Sequence, residues 1–307
     1  MSSVTDVLDI IDIVAFLCTV PGNIFILVVT LKEWFKNKRL CVTHQLVLGI
    51  VFCNILNGFL ENIFYIYELT TDDTINEDLY LFLVFLLMFC NLWFTTWLCV
   101  HFCLKTVDIN QRVYIYLRRR FHKMLPWILF SSVIGSILFS IPLNWYKVNG
   151  SSQNLTLNGF SHNVSLNNVS ENSCYYCKLA VNCIFILGAF ILFFSAALTS
   201  ILFLRRHMKR VRDYAEGSGL SSIEAHVRAA RTLTSILILN ILYFIAMVCY
   251  VVEGPSAITT YLFFILVSVC DVICAIILIK GIKTLNKALA DSLTFCLCVE
   301  TNSPSIS

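Results

Sequence analysis

The stretch FFILVSVCDVICAIIL, residues 263–278, carries one carboxylate, Asp271, in the middle of an otherwise apolar run. Hydrocarbon cannot solvate a carboxylate, so an acid at that depth needs a partner and is by default a functional group. Two amides at similar depth in two other apolar runs, Asn23 and Asn54, are the nearest candidates. The expected arrangement is a polar cluster of Asn23, Asn54 and Asp271, with Asp271 hydrogen-bonded to Asn54. Such a cluster either repacks between two states or is a static helix–helix bond. Other chemistry is poorly served. No Asp, His and Ser fall at a spacing that would activate a nucleophile. Cys174-X-X-Cys177 has no second pair or histidine near it, so a zinc site is not expected. No glycine-rich phosphate loop occurs. The sequence therefore reads as no enzyme, with no cofactor and no bound metal.

A second chemistry is modification. Residues 149–170, NGSSQNLTLNGFSHNVSLNNVS, hold four Asn-X-Ser/Thr acceptors, at Asn149, Asn154, Asn163 and Asn168. A glycan reaches only chain that enters the secretory lumen. Cys296 and Cys298 follow a basic, amphipathic segment near the C-terminal end and are candidates for palmitoylation. Cys174 and Cys177 lie near the oxidising side, where a mutual disulfide and two free thiols are both compatible with their spacing. Most other cysteines sit in apolar runs, where the residue behaves as a small hydrophobe.

These residues are positioned by long apolar elements. The chain has 307 residues, 58% hydrophobic and 13% charged, about half the charged fraction of a soluble domain. Runs of roughly 20 apolar residues span a bilayer as helices, because lipid leaves backbone amides no other partner. Seven such runs lie at about 8–31, 43–66, 80–104, 125–146, 179–204, 232–252 and 259–279. No repeat or linker divides them, so residues 1–307 form one domain. The expected fold is all-α, a seven-transmembrane helix bundle. Pro21, Pro126, Pro142 and Pro255 lie within or near span ends, where proline kinks or stops a helix. Ile282, Leu285, Leu289 and Leu293 recur at helical spacing and predict a short amphipathic helix over 281–293, lying on the inner leaflet.

Orientation follows from the basic residues. Of the 22 Lys and Arg, only Lys147 and Lys178 fall outside the segments after spans 1, 3, 5 and 7, with the start of span 6. Those segments are therefore cytoplasmic. The N-terminus is extracellular, residues 280–307 form a cytoplasmic tail, and the chain is a multi-pass protein of the plasma membrane. The sequons fall between spans 4 and 5, on the outer face, in agreement. Basic residues spread over juxtamembrane loops suit anionic lipid and a G-protein surface. They do not suit nucleic acid.

Several short stretches resemble the type 2 taste receptors, the bitter receptors. They are Glu33-Trp34, the basic run Lys36 to Arg39, Leu40 and Gln45 before span 2, and Phe102, Leu104 and Lys105 at the end of span 3. They also include Tyr114 and Leu117, Leu204 and His207 at the end of span 5, and Ala225, His226, Ala229, Ser235, Leu237, Leu239, Tyr243 and Phe244 into span 6. Ile277 to Ile279, Gly281, Lys283 and Leu285 close the series after span 7. The chain departs from the family at several points. The family's span 2 arginine falls at Asn54, its Ala-Asn-Phe-Ser reads Val107-Asp108-Ile109-Asn110, and its span 7 histidine pair reads Cys274-Ala275. The chain is identified by these features as a divergent member.

The resemblance implies a G-protein-coupled receptor for a small-molecule bitter agonist, acting through a heterotrimeric G protein of the gustducin or inhibitory class. A receptor oligomer stays open. A type 1 vomeronasal-like or other orphan chemosensory receptor is the alternative, and a transporter a remote one. The resemblance places agonist contacts at Val84, Met88 and Phe264, with Phe85, Phe89, Tyr243, Tyr250, Tyr261 and Ser268 beside them. All three contact positions are apolar, which implies a largely apolar agonist. The expected activation switch comprises Asn23, Asn54, Lys105, His207 and Asp271.

Overall fold

The computed structural model describes residues 2–38, 40–70, 77–107, 112–150, 164–214, 220–253 and 257–301, with some side chains at helix ends outside that description. The helices are α1 (Ser2–Asn37), α2 (Val42–Thr70), α3 (Glu77–Thr106), α4 (Arg112–Gly150), α5 (Val164–Tyr214), α6 (Leu220–Glu253), α7 (Ala257–Gly281) and α8 (Lys283–Thr301). The first seven are long and apolar enough to cross a membrane. They pack as a bundle in which α3 touches α2, α4 and α5, and α7 touches α1 and α6. Burial ranks them: 61% of the apolar stretch of α3 is buried against 22% of that of α4. So α3 is the central post and α4 a peripheral one. Large apolar side chains that face outward, such as Phe35, Phe130, Ile191 and Trp127, are those that lipid would cover.

The helices outrun the apolar runs that announce them. The segment before span 4 was expected to be loop as far as residue 125. Instead α4 starts at Arg112, because Tyr114, Leu117, Phe121 and Leu125 recur at three and four residues and turn one face inward. Phe121 and Leu125 are buried while Arg118, Arg119 and Arg120 stay exposed. The basic run Arg205 to Arg212 likewise lies on α5, which continues to Tyr214. The outer connection expected at 147–178 is helical at both ends, to Gly150 and from Val164. Asn149 and Asn168 therefore stand on helical backbone, while Asn154 and Asn163 lie outside the described residues. Cys174 and Cys177 sit on the helical backbone of α5 with their side chains outside the description. Three of the prolines end no helix: α1 runs on through Pro21, and α4 spans Pro126 and Pro142, while Pro255 lies outside the described residues. The amphipathic segment after α7 is helical as expected and reaches Thr301.

Small residues set the closest approaches, as they must where both helix and lipid are apolar and packing alone discriminates. Ser132, Ser136 and Ser140 form a buried stripe on α4. Ser136 and Ser140 each donate to the carbonyl four residues back, so that no hydroxyl is wasted. The Ser132 hydroxyl also accepts from Trp97 Nε1 at 3.0 Å, joining α4 to α3. A Cβ on Gly49 would come within 2.8 Å of Phe94 Cδ2. A Cβ on Gly281 would collide with the Thr232 side chain, 2.7 Å from its Oγ1, so α6 and α7 are held close where α6 begins and α7 ends.

At that end of the bundle the chain is tied by polar caps. Lys38 takes φ 50° just past α1, and its amide bonds Trp34 O at 2.8 Å. This is a left-handed C-cap without glycine. Gln45 Nε2 donates to Leu40 O at 3.1 Å. Tyr114 Oη donates to the Cys103 and Val107 carbonyls, each at 2.8 Å, and so caps α3 from α4.

Two consequences can be measured as surface level of tagged receptor. Gly281→Val should cut it sharply, since overpacking costs about 1–3 kcal/mol. Adding Thr232→Ala should restore part of the loss, because the colliding methyl and hydroxyl are then gone. A double variant no better than the single one would refute the contact.

Candidate functional site

The predicted polar cluster exists, but with different members. Asn54 is buried on α2, and its Oδ1 accepts from Asn91 Nδ2 of α3 at 2.8 Å. The expected Asn54–Asp271 hydrogen bond is not formed, and Asn54 Nδ2 has no partner. Asn91 faces α2 from the central helix and takes the Asn54 carbonyl oxygen, while the Asn54 Nδ2 group does not reach the Asp271 carboxylate. Asn23 is also buried, yet its Nδ2 turns back on its own helix, to Thr19 O at 2.9 Å. It takes no part in the cluster.

Asp271 is buried on α7. It shares a cavity of about 30 Å³ with Asn91, Thr95, Asn240 and Tyr243, closed by Leu92, Leu239, Cys270 and Cys274. The volume suits about two water molecules, not an agonist. Beside it, a crevice too narrow for water runs between Asp271, Asn54, Asn57, Met88 and Tyr243. Tyr243 lines both spaces, and its buried hydroxyl has no hydrogen-bond partner.

One turn further out lies a second acid. Glu61 of α2 is buried, accepts from Asn57 Nδ2 at 2.7 Å and from Ser268 Oγ of α7 at 3.1 Å. Sequence reasoning passed over Glu61, Asn57, Asn91 and Asn240. The signal for Glu61 was present: an acid inside an apolar run is as unusual at position 61 as at 271. Ser268, expected beside the agonist, donates to Glu61 instead and so joins α2 to α7.

The remaining expected agonist residues are gathered in the half of the bundle where α3 and α7 begin and α6 ends. Val84, Phe85, Met88 and Phe89 of α3 are all buried. The Phe85 ring lies 5.7 Å from Tyr250 of α6, which stacks on Phe263 of α7 at 4.6 Å. Phe89 meets Phe185 of α5 edge-on at 5.8 Å. Phe264 touches Phe263 at 5.5 Å and Tyr80 at 6.4 Å. Rings from four helices thus interlock at distances where aromatic pairs attract. The side chain of Tyr261 lies outside the described residues.

Of the inner switch residues, Lys105 is exposed in the last turn of α3. The side chains of His207, Cys296 and Cys298 lie outside the described residues, although their backbones are helical in α5 and α8. Among the described residues no three His, Cys, Asp or Glu side chains form a metal-binding group.

A bundle of this kind, with a polar centre and an aromatic layer outside it, has relatives. The family model for taste receptor protein (TAS2R) matches residues 1–297. The chain belongs to the type 2 taste receptor family. It is 28% identical to taste receptor type 2 member 41 of Pan paniscus, over 75% of both chains. It is 26% identical to taste receptor type 2 member 8 of Pongo pygmaeus, again over 75% of each. Member 40 of Gallus gallus is 29% identical over 52% of this chain and 50% of its own. The protein is thus a multi-pass G-protein-coupled receptor of the bitter taste class, which binds a ligand and couples to a G protein. It belongs to no enzyme family. Membership decides for this reading over the vomeronasal-type and transporter alternatives.

The Asn54–Asn91 bond can be tested by a double-mutant cycle on thermal stability. Asn54→Leu and Asn91→Leu should each destabilise the receptor, and the pair should cost less than the sum, by about 0.5–2 kcal/mol. Strict additivity would show that the two amides do not meet.

Proposed function

We propose that the receptor is switched by a small, largely apolar bitter agonist that enters from outside and wedges into the aromatic layer between α3, α5, α6 and α7. The observation that carries this reading is the position of Tyr243. It stands on α6 about two helical turns before Tyr250, the partner of Phe85, and reaches with an unpartnered hydroxyl into the polar centre. A molecule that separates Phe85, Phe89 and Tyr250 must move α6 against α3. The same movement carries Tyr243 relative to Asn91 and Asp271.

The lining is Val84, Phe85, Met88, Phe89, Tyr250 and Phe264, with Ser268 as a polar group beside it; Tyr261, whose side chain lies outside the described residues, is assigned to it from the sequence alone. Apolar walls with few polar anchors are usual for small-molecule sites. The rings are closed on each other without ligand, so agonist affinity includes the work of opening them. Only a molecule that binds the opened arrangement better shifts the population. At the inner face, α5 and α6 carry the basic residues Arg205, Arg206, Lys209 and Arg231, and α3 ends at exposed Lys105. These form the surface offered to a gustducin-type or inhibitory-class G protein and to anionic lipid. In this reading the receptor sits in the plasma membrane with its N-terminus outside and its tail inside. Palmitoyl groups on Cys296 and Cys298 would hold α8 on the inner leaflet.

The test is a bitter-compound panel on cells that carry a promiscuous G protein, read as calcium. A compound that activates wild type should need about tenfold or more higher concentration on Phe89→Ala or Tyr250→Ala, since each loses a large buried ring contact. Silence of the wild type across the panel at normal surface level would overturn the reading. The sequons are assigned to export. Changing Asn149, Asn154, Asn163 and Asn168 to Gln should lower surface level more than agonist potency. The opposite result would make the outer connection part of the binding site.

A further inference from the structure

Asn182 of α5 is 1% exposed, yet among the described residues neither its Nδ2 nor its Oδ1 has a hydrogen-bond partner. Other buried amides do better. Asn23, Asn54 and Asn57 each leave one half unpaired but bond through the other. A buried amide unpaired at both ends is unfavourable and calls for a specific explanation.

Its place supplies one. Asn182, Ile186, Ala189 and Phe193 recur at three and four residues and make the buried face of α5. That face meets α3, where Cys99 Sγ lies 3.9 Å from Phe193 O. Phe185 stands about one turn after Asn182. Its ring lies 5.8 Å from Phe89 and 5.3 Å from Trp93 of α3, and stacks on Phe139 of α4 at 4.0 Å. Gly135 of α4 makes room for it, since a Cβ there would lie 3.4 Å from the ring. Trp93 Nε1 is buried and unpartnered as well. The ring that closes this side of the aromatic layer is thus bordered by an unpaired amide and an unpaired indole N–H.

We propose that Asn182 selects agonists by their polar group, and that this group is a neutral cis-amide, as in a secondary lactam. The inference rests on the agonist reading above and adds the functional group to it. An agonist that parts Phe89 from Phe185 comes within about one turn of Asn182. A primary amide presents a donor and an acceptor side by side in one plane. Its complement is a group with the same pair reversed. The agonist carbonyl accepts from Asn182 Nδ2 and the agonist N–H donates to Asn182 Oδ1. Among the described residues this face of α5 carries no charge, so an ammonium or carboxylate group would be buried without a counter-charge. Asn182 is already desolvated in the closed receptor, so a matching agonist gains both bonds without stripping water from it.

The experiment follows apparent Tm of full-length receptor in lipid nanodiscs against four probes of one bicyclic shape. They are hydrocarbostyril (a secondary lactam), its N-methyl derivative, β-tetralone and tetralin. Wild type should reach half-saturation with the lactam at about tenfold or more lower concentration than with the other three. In Asn182→Leu the lactam should fall to the level of β-tetralone, with tetralin unchanged. With no probe present, Asn182→Leu should raise Tm by about 2 °C or more, because an apolar side chain replaces an unpaired amide. Equal half-saturation of wild type by the lactam and its N-methyl derivative would overturn the proposal, and needs no variant. So would the absence of any Tm shift by the lactam up to its solubility limit. A lower Tm of ligand-free Asn182→Leu would show that the amide is bonded within the receptor, and also overturn it. Phe89→Ala separates the two ideas: if it weakens all four probes alike while wild type does not distinguish them, the agonist reading stands and the role of Asn182 falls.

Discussion

The constraint on which this bundle depends is that hydrocarbon returns nothing for a polar group left unpaired. Every helix solves it for the backbone. The side chains that remain polar at depth must then find one another across helices. Asn54, Glu61, Asn91 and Ser268 do so, and in doing so they fix the rotation of α2, α3 and α7 about their own axes. Asn91–Asn54 ties α3 to α2, and Glu61–Ser268 ties α2 to α7. Apolar packing alone would tolerate several rotations of these helices at similar energy; the amide and carboxylate contacts select one.

The same constraint separates the receptor into layers with different mechanical properties. The outer layer is held by ring contacts, which are non-directional and can yield to an intruding apolar molecule. The middle layer is held by hydrogen bonds, which lose most of their value within a fraction of an ångström. The inner layer is held by steric closeness at Gly281 and Thr232 and by the Tyr114 cap on α3. A deformation begun among the rings therefore reaches the middle layer as a discrete change of partners. Tyr243 belongs to both layers, since its position on α6 is set by packing and its hydroxyl faces the polar cavity.

Much of this was legible in the sequence. Apolar length gives each of the seven spans, because spanning a bilayer is a question of length and composition alone. The helical spacing of Ile282, Leu285 and Leu289 gives α8. What the sequence could not give is azimuth. Asn54 and Asp271 sit at matching depths, and depth alone suggests that they bond; that Asn91 intervenes depends on which way α3 faces. Asn91 was passed over because a single amide in an apolar run is not unusual by itself. It matters here because Asn54 and Asn240 stand at the same level on neighbouring helices. The helix extensions at Arg112 and Val164 were missed for another reason. Charged and hydroxylated residues mark the end of the hydrocarbon layer, and that is not the end of the helix.

Asn54 shows why local departures from a family pattern need a physical reading. The resemblance places an arginine there, and this chain has a neutral amide that is already engaged with Asn91. The loss of that cation would matter little if the carboxylate on α7 were absent too. It is present and buried, and shares its cavity with Asn91, Thr95, Asn240 and Tyr243. With a neutral residue at position 54, no Lys, Arg or His lines the cavity that Asp271 shares. Restoring a cation in the chain, as Asn54→Lys, would fill the space with a flexible stem and break the Asn91 bond.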